Sequence, residues 1–149
     1  MVFVIGGSGP QERRICARVA ALHSPILDIG HQRDVPAALA AMDLFVLPSL
    51  WEGMPLTVLE AMRAGVAVVA SDADGTAEVV RDGETGRLVP KGNGPALTAA
   101  IRDLLGDPLT RRRFAAAGAD FVTTRFNAGS LARRTEALYR SSLGSQAEQ

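Results

Sequence analysis

The sequence predicts an α/β fold, a parallel sheet with helices on both faces, and three observations carry that expectation. Short apolar runs such as Val2-Phe3-Val4-Ile5, Leu44-Phe45-Val46-Leu47 and Val66-Ala67-Val68-Val69-Ala70 are continuous rather than alternating, the pattern of strands covered on both sides. Glycine or proline closes or flanks them. Between the runs lie segments of about ten residues whose apolar positions recur at helical spacing, and strands alternating with helices imply parallel pairing.

The elements follow in order. Val2 to Ile5 reads as a strand entering the tight turn Gly6-Gly7-Ser8-Gly9-Pro10. A helix from about Gln11 to Leu22 then places Ile15, Val19 and Leu22 on one side and arginines on the other, until Pro25 ends it. Ile26 to Ile29 is the second strand, stopped by Gly30, and Asp34 can cap a helix carrying Val35, Leu39 and Met42. Leu44 to Leu47 is the third strand, halted by Pro48. A helix from about Pro55 to Ala64 has a proline suited to its first turn and Gly65 as its stop. Val66 to Ala70 is the fourth strand. A short helix around Thr76 to Val80 and the turn at Asp82-Gly83 lead into a last strand, Gly86 to Pro90. Helices of roughly Gly94 to Leu105, Leu109 to Thr124 and Ser130 to Leu143 complete the fold, and residues 144–149 are expected to be a disordered tail.

Composition narrows the function classes. At 149 residues and 47% apolar content the chain can bury one core, so residues 1–143 read as one domain, with 109–143 its C-terminal helices. A formal net charge of zero provides no bulk field for nucleic acid or an anionic membrane, and any phosphate recognition must be local. Cys16 is the single cysteine, which excludes an intrachain disulfide framework and a cysteine-rich zinc site and fits a reducing cytoplasm. No apolar run approaches the ~18 residues of a membrane span. Lys91 is the one lysine among 16 basic residues and alanine is abundant, a compositional association with GC-rich bacterial genomes. The chain opens directly in an apolar strand, from which an upstream segment is expected.

The chemistry concentrates in Ser49-Leu50-Trp51-Glu52-Gly53-Met54-Pro55-Leu56-Thr57-Val58-Leu59-Glu60-Ala61-Met62, after a strand and opening a helix. Ligands of open α/β sheets bind there, beyond the carboxyl ends of the strands. A helix N-terminus also offers free N–H groups and about half a positive charge, which suits a diphosphate. Gly53, Thr57 and Glu60 fall along one helical stripe, so Glu60 looks outward on the phosphate-binding side. Five residues of helix span about 7.5 Å. That matches the reach from a diphosphate to its ribose, whose two hydroxyls a carboxylate can accept from. Glu52 would face the other end, where a sugar sits.

Glu52 and Glu60 together resemble the E-x7-E pair of the group 1 glycosyltransferases, the retaining, two-domain type. Pro48-Ser49, Glu52-Gly53, Leu59-Glu60-Ala61-Met62 and Gly65 are similar to that family in spacing and identity. So are Ala70-Ser71-Asp72, Gly75, Glu78-Val79-Val80, Asp82-Gly83, Thr85-Gly86 and Leu88-Val89-Pro90, in order. Upstream, Gly6 to Pro10, Gly30 and Asp43 to Pro48 extend the resemblance over about Val2 to Tyr139.

The resemblance implies a Rossmann-like domain, the C-terminal, donor-binding half of a GT-B fold, truncated at its N-terminal end. The family's domain begins with one further strand and helix, whose Arg and Lys grip the diphosphate, and this chain starts after them. It implies a UDP-, GDP- or ADP-sugar as donor substrate, with no cofactor and no metal. Glu52 would be the catalytic glutamate near the sugar, Glu60 the ribose ligand, and Gly53, Met54, Leu56 and Thr57 the cradle for sugar and phosphates, Pro55 having no N–H to offer. His31 and Arg33 would lie near the base edge. Retention in this family is ascribed to front-face attack, with the departing diphosphate taking the acceptor's proton, so the glutamates position donor and charge. A glycan or lipid-linked acceptor would be bound through the missing N-terminal domain, which carries the family's active-site His. That domain could also hold a cytoplasmic enzyme at the inner face of the membrane, in polysaccharide biosynthesis. The chain alone is then expected to transfer nothing.

Other readings are available for the same residues. A chain that holds donor or a partner protein without transfer is the alternative, and a sugar epimerase of similar architecture fits the motif series less well. Gly6, Gly7 and Gly9 lack the spacing of a dinucleotide fingerprint. Arg111, Arg112 and Arg113 read as a solvated helix surface rather than a nucleic-acid patch, since no aromatics interleave them. His23 reads as a helix-end residue, Trp51 as a shield or a packed side chain, and Cys16 as a buried or partly buried thiol without a redox role.

Overall fold

A computed structural model describes residues 2–22 and 25–144. Five strands and seven helices lie among them, alternating up to α5: β1 (Phe3–Gly6), α1 (Glu12–Ala21), β2 (Ile26–Gly30), α2 (Val35–Ala40), β3 (Leu44–Leu47), α3 (Leu56–Arg63), β4 (Ala67–Asp72), α4 (Thr76–Val79), β5 (Arg87–Pro90), α5 (Gly94–Gly106), α6 (Pro108–Arg125) and α7 (Ala128–Gly144). The chain divides into two compact units, Met1–Ala38 and Leu39–Gln149. The helix-end reading of His23 and the tail reading of 145–149 fall outside the described residues, and Gly144 closes α7.

In the N-terminal unit β1 pairs in parallel with β2, Phe3 opposite Ile26 and Val4 opposite Leu27. The Gly7 N–H extends the ladder by donating to Gly30 O at 2.8 Å, with Gly30 at φ +58, a left-handed conformation glycine adopts without penalty. Burial differs from the sequence expectation here. Phe3 and Val4 are exposed and Ile5 is half-buried. The apolar stripe of α1 is equally open, since Val19 is half-buried while Ile15 and Leu22 are exposed. A sheet of two strands covers too little area to bury a helix face.

The C-terminal unit holds a parallel sheet of order β3-β4-β5, in which Leu44 pairs with Ala67 and Val69 with Arg87. Ala67 to Ser71 of β4 are buried at every position, so both faces of the strand are covered. On one side Ala67 and Val69 join Val89, Ala100 and Leu104 of β5 and α5 and Phe114 of α6 in the core. Helices α3, α4 and α6 also touch β4.

Local signals set the helix ends. Gly65 takes φ +73 after α3, its N–H donates to Met62 O at 2.9 Å, and the Val66 N–H reaches Ala61 O at 3.0 Å. That pair of bonds closes the last turn and forces the chain into β4. Asn93 caps α5 through Ala96 N–H, and Asp107 caps α6 through Leu109 and Thr110 N–H, just before Pro108. Gly118 of α6 passes so near α3 that an added Cβ would lie 3.1 Å from Met62 Cγ.

The arginine run is not simply solvated. Arg111 donates to Leu104 O and Leu105 O at 3.1 and 3.3 Å, satisfying carbonyls at the end of α5, and Arg113 donates to Gly83 O at 3.3 Å. Arg113 also lies over the Phe114 ring, 4.8 Å from its centre. Planar, many-donor guanidinium groups make such bridges, and sequence spacing gives no sign of their partners.

Candidate functional site

Pro48 ends β3, and the chain from Ser49 to Met54 runs as a loop to Pro55. Pro55 stands one position earlier than the expected first turn. It is the buried N-cap of α3, at φ −77 and ψ 88, with no side-chain cap bond. Its carbonyl accepts from Val58 N–H at 3.0 Å and weakly from Leu59 at 3.4 Å. The N–H groups of Met54, Leu56 and Thr57 donate to no group among the described residues. Unpaired helix-start donors of this kind are where an anion is best accommodated.

Two carboxylates flank these donors. Glu52 is half-buried, and its Oε1 accepts from Ser49 Oγ at 2.6 Å, a short bond that an ionised acceptor favours. Glu60 lies on the same helix start, exposed among the buried Val58, Ala61 and Met62, and bonds no group among the described residues. It thereby avoids the desolvation cost that its apolar sequence neighbours suggested. The side chains of Met54, Leu56 and Thr57 are exposed as well. Trp51, 76% exposed, packs against nothing that would bury it.

The loop is held from behind by the turn between β4 and α4. Gly75 donates its N–H to Glu52 O at 2.9 Å. The preceding Asp74 sits at φ +39, an uncommon conformation for a residue with a Cβ, and its carboxylate lies 3.8 Å from Lys91 Nζ. Both partners of that pair are about half exposed, so it contributes ~0–1 kcal/mol. Thr76 is fully buried and its Oγ1 has no hydrogen-bond partner among the described residues.

Sequence reasoning named Glu52, Gly53, Met54, Leu56, Thr57 and Glu60, and the structure carries all six on one loop and helix start. It missed the Ser49 bond and the Gly75 contact. The first had a signal in the hydroxyl three residues before the glutamate; the second joins residues far apart in sequence and had none.

His31 and Arg33 belong to the N-terminal unit, follow β2, and are both exposed. In that unit Cys16 is exposed rather than buried. Its Sγ donates to Asp28 Oδ2 at 3.0 Å, and Gly30 N–H donates to Asp28 Oδ1 at 2.9 Å. The bond to Asp28 holds the thiol above its ordinary range, and the same bond, then that from Gly30, holds the carboxyl below its own. No group of three or more His, Cys, Asp or Glu among the described residues could hold a metal ion. No helix among them is long and apolar enough to cross a membrane.

Comparison with known proteins adds three findings. Residues 1–107 match the family model of group 1 glycosyl transferases. The chain is 37% identical over 123 residues to the phosphatidyl-myo-inositol mannosyltransferase of Mycobacterium leprae, covering 80% of this chain and 33% of that protein. Among solved structures, sucrose-phosphate synthase from Thermosynechococcus elongatus superposes with a TM-score of 0.85 at 31% identity, over 95% of this chain and 38% of that one. Anabaena HepE in complex with UDP-glucose gives 0.86 at 24% identity, over 94% and 41%. The parallel strands with helices on both sides thus match the GT-B glycosyltransferase architecture, and the chain spans about a third of the length of the curated relative. With the family model matching well over half of its residues, the chain belongs to the group 1 glycosyltransferases.

Proposed function

We propose that the loop and helix start from Glu52 to Glu60 bind the diphosphate, sugar and ribose of a nucleotide-sugar donor and support retaining glycosyl transfer. The observation that carries this reading is the set of unpaired N–H groups of Met54, Leu56 and Thr57, with an exposed carboxylate one turn along the helix and a second, hydrogen-bonded one before it. The amides accommodate phosphate oxygens, Glu60 accepts from ribose hydroxyls, and Glu52 faces the sugar. A solved structure of similar fold holds UDP-glucose, which supports a donor of this class. Family resemblance, rather than geometry, assigns His31 and Arg33 to the base.

In the transfer step the bond from the sugar's anomeric carbon to the diphosphate oxygen breaks, and a bond to the acceptor oxygen forms on the same face. The acceptor's proton passes to the departing diphosphate. Glu52 and the helix start orient the donor and stabilise charge, with no metal among the groups invoked. The acceptor would be a glycan or glycolipid, the donor a UDP-, GDP- or ADP-sugar, and the compartment the cytoplasm of a bacterial cell, where an exposed free thiol such as Cys16 is ordinary. The second reading is a chain that holds donor and transfers nothing.

Calorimetric titration with UDP, GDP, ADP and their sugar conjugates tests the site. Glu60→Gln is expected to weaken nucleotide binding by about 1.5–3 kcal/mol, because an amide keeps the size and loses charge-assisted acceptance. In a catalytically competent protein Glu52→Gln is expected to harm sugar-donor turnover more than bare-nucleotide binding. Equal effects of the two changes on bare-nucleotide affinity would contradict the separate roles.

A further inference from the structure

Gly75 has backbone angles of φ −71 and ψ −3, which any residue adopts, so conformation does not demand glycine at this position. Space does. A Cβ placed on Gly75 would lie 1.8 Å from Gly53 O, 2.8 Å from Gly53 C and 3.3 Å from Glu52 O. All three atoms are backbone, so no side-chain rotation could relieve the contact. The same residue donates its N–H to Glu52 O at 2.9 Å. Two successive carbonyls of the loop, those of Glu52 and Gly53, therefore rest on a single buried glycine. The Glu52 carboxylate is fixed separately, by Ser49 Oγ at 2.6 Å.

We propose that Gly75 is a positioning residue, through which the turn between β4 and α4 clamps the Glu52–Gly53 peptide and sets where the Glu52 carboxylate meets the donor sugar. The role of Glu52 rests on the reading under Proposed function; the clamp itself does not. The turn is well suited to transmit position. It springs from β4, the strand buried on both faces, while the loop it holds is largely exposed. Moving the Gly53 oxygen from 1.8 Å to an allowed 3.0 Å displaces the loop by about 1 Å, and a misplacement of that size at a reacting centre can cost on the order of 10²-fold in rate.

Gly75→Ala tests the proposal, with Gly86→Ala as its control. Gly86 is also buried, and its added Cβ would meet Val68 O and Val80 Cγ1 at 2.9 Å, a milder crowding with no loop atom involved. Trp51, the one tryptophan and 76% exposed, adjoins Glu52 and reports on the loop directly. With circular dichroism confirming a folded chain, Gly75→Ala is expected to change Trp51 emission and acrylamide quenching, whereas Gly86→Ala leaves both unchanged. In calorimetry the affinity that UDP-glucose or GDP-mannose gains over the bare nucleotide is expected to fall at least tenfold in Gly75→Ala, with bare-nucleotide affinity within about threefold; in a catalytically competent protein the loss appears in turnover rather than KM.

Unaltered Trp51 signals and an unaltered preference for the sugar conjugate in a folded Gly75→Ala chain would overturn the clamp. A changed Trp51 signal in a protein whose wild type binds none of the nucleotides would uphold the clamp and sink the donor-site reading instead. Should Gly75→Ala fail to fold, hydrogen exchange of the wild-type Gly75 amide decides. Protection above the level of the free Met54 and Thr57 amides is expected, and exchange as fast as theirs would refute the contact.

Discussion

β1 and β4 are both uninterrupted apolar runs, Phe3-Val4-Ile5 in one and Ala67-Val68-Val69-Ala70 in the other, and local sequence gives no reason to treat them differently. In the structure Phe3 and Val4 are exposed, while those four residues of β4 lie at 0–1% exposure. The difference lies in their neighbours. β1 pairs with β2 alone among the described residues, whereas β4 has a strand on each side and four helices against it. An apolar run records a preference for burial, and the number of elements that pack on it decides how much of that preference is met.

Stability measurements can break or sharpen this contrast. The largest effect is expected for Met62→Ala, which opens a cavity between α3 and α6 beside the close-packed Gly118, and denaturant titration should show a loss of about 2–5 kcal/mol. Leu27→Ala in β2, where the side chain is 56% exposed, is expected to cost about 1 kcal/mol or less. Equal losses at the two positions would show that the N-terminal unit is more tightly packed than its exposure suggests. A middle-sized effect is expected at the α5 cap. Asn93→Ala removes the bond to Ala96 N–H at 3.0 Å and should cost about 1 kcal/mol in the same titration.

The smallest effect lies in the N-terminal unit, at Cys16 and Asp28. Thiol pKa is raised in the fold by the hydrogen bond to Asp28, so its share of stability is present below the ordinary value of 9.0 and is lost as pH rises through the folded value. The Asp28 carboxyl is lowered, so its share is present above 3.8 and lost as pH falls through a folded value below that. Between those limits the pair is intact. Alkylation of Cys16 by iodoacetamide near pH 8 should therefore be slow for an exposed thiol and accelerate several-fold in Asp28→Asn. A rate that ignores residue 28 would show that the bond does not persist in solution.

Much of the fold was legible because its signals are local. Pro48 stops β3, Gly65 reverses the chain after α3, and Asp34 caps α2 through Ala37 N–H, all as residue type and spacing suggest. The placement of Glu52 in the loop before α3 and of Glu60 on α3 was legible from the strand and helix spacing. What stayed hidden depends on distant partners or on accumulated neighbours. Gly75 supports Glu52 from the next strand's end, Arg111 reaches the last carbonyls of α5, and Cys16 of α1 meets Asp28 of β2. The exposure of Phe3, Ile15 and Leu22 was hidden for the second reason, since burial is a sum over neighbours and no window of sequence contains that sum.

The stretch from Pro48 to Val66, which carries Glu52 and Glu60, is also the crossover that joins β3 to its parallel neighbour β4. Parallel strands cannot meet through a tight hairpin, so Leu44 reaches Ala67 only when this whole segment has closed. Loop-closure entropy must be overcome before the pairing returns anything, which makes this step slow compared with forming a helix. The chain's own assembly therefore passes through its candidate site. Substitutions that loosen the turn at Pro55 or the reversal at Gly65 are expected to retard refolding as well as disturb the native loop.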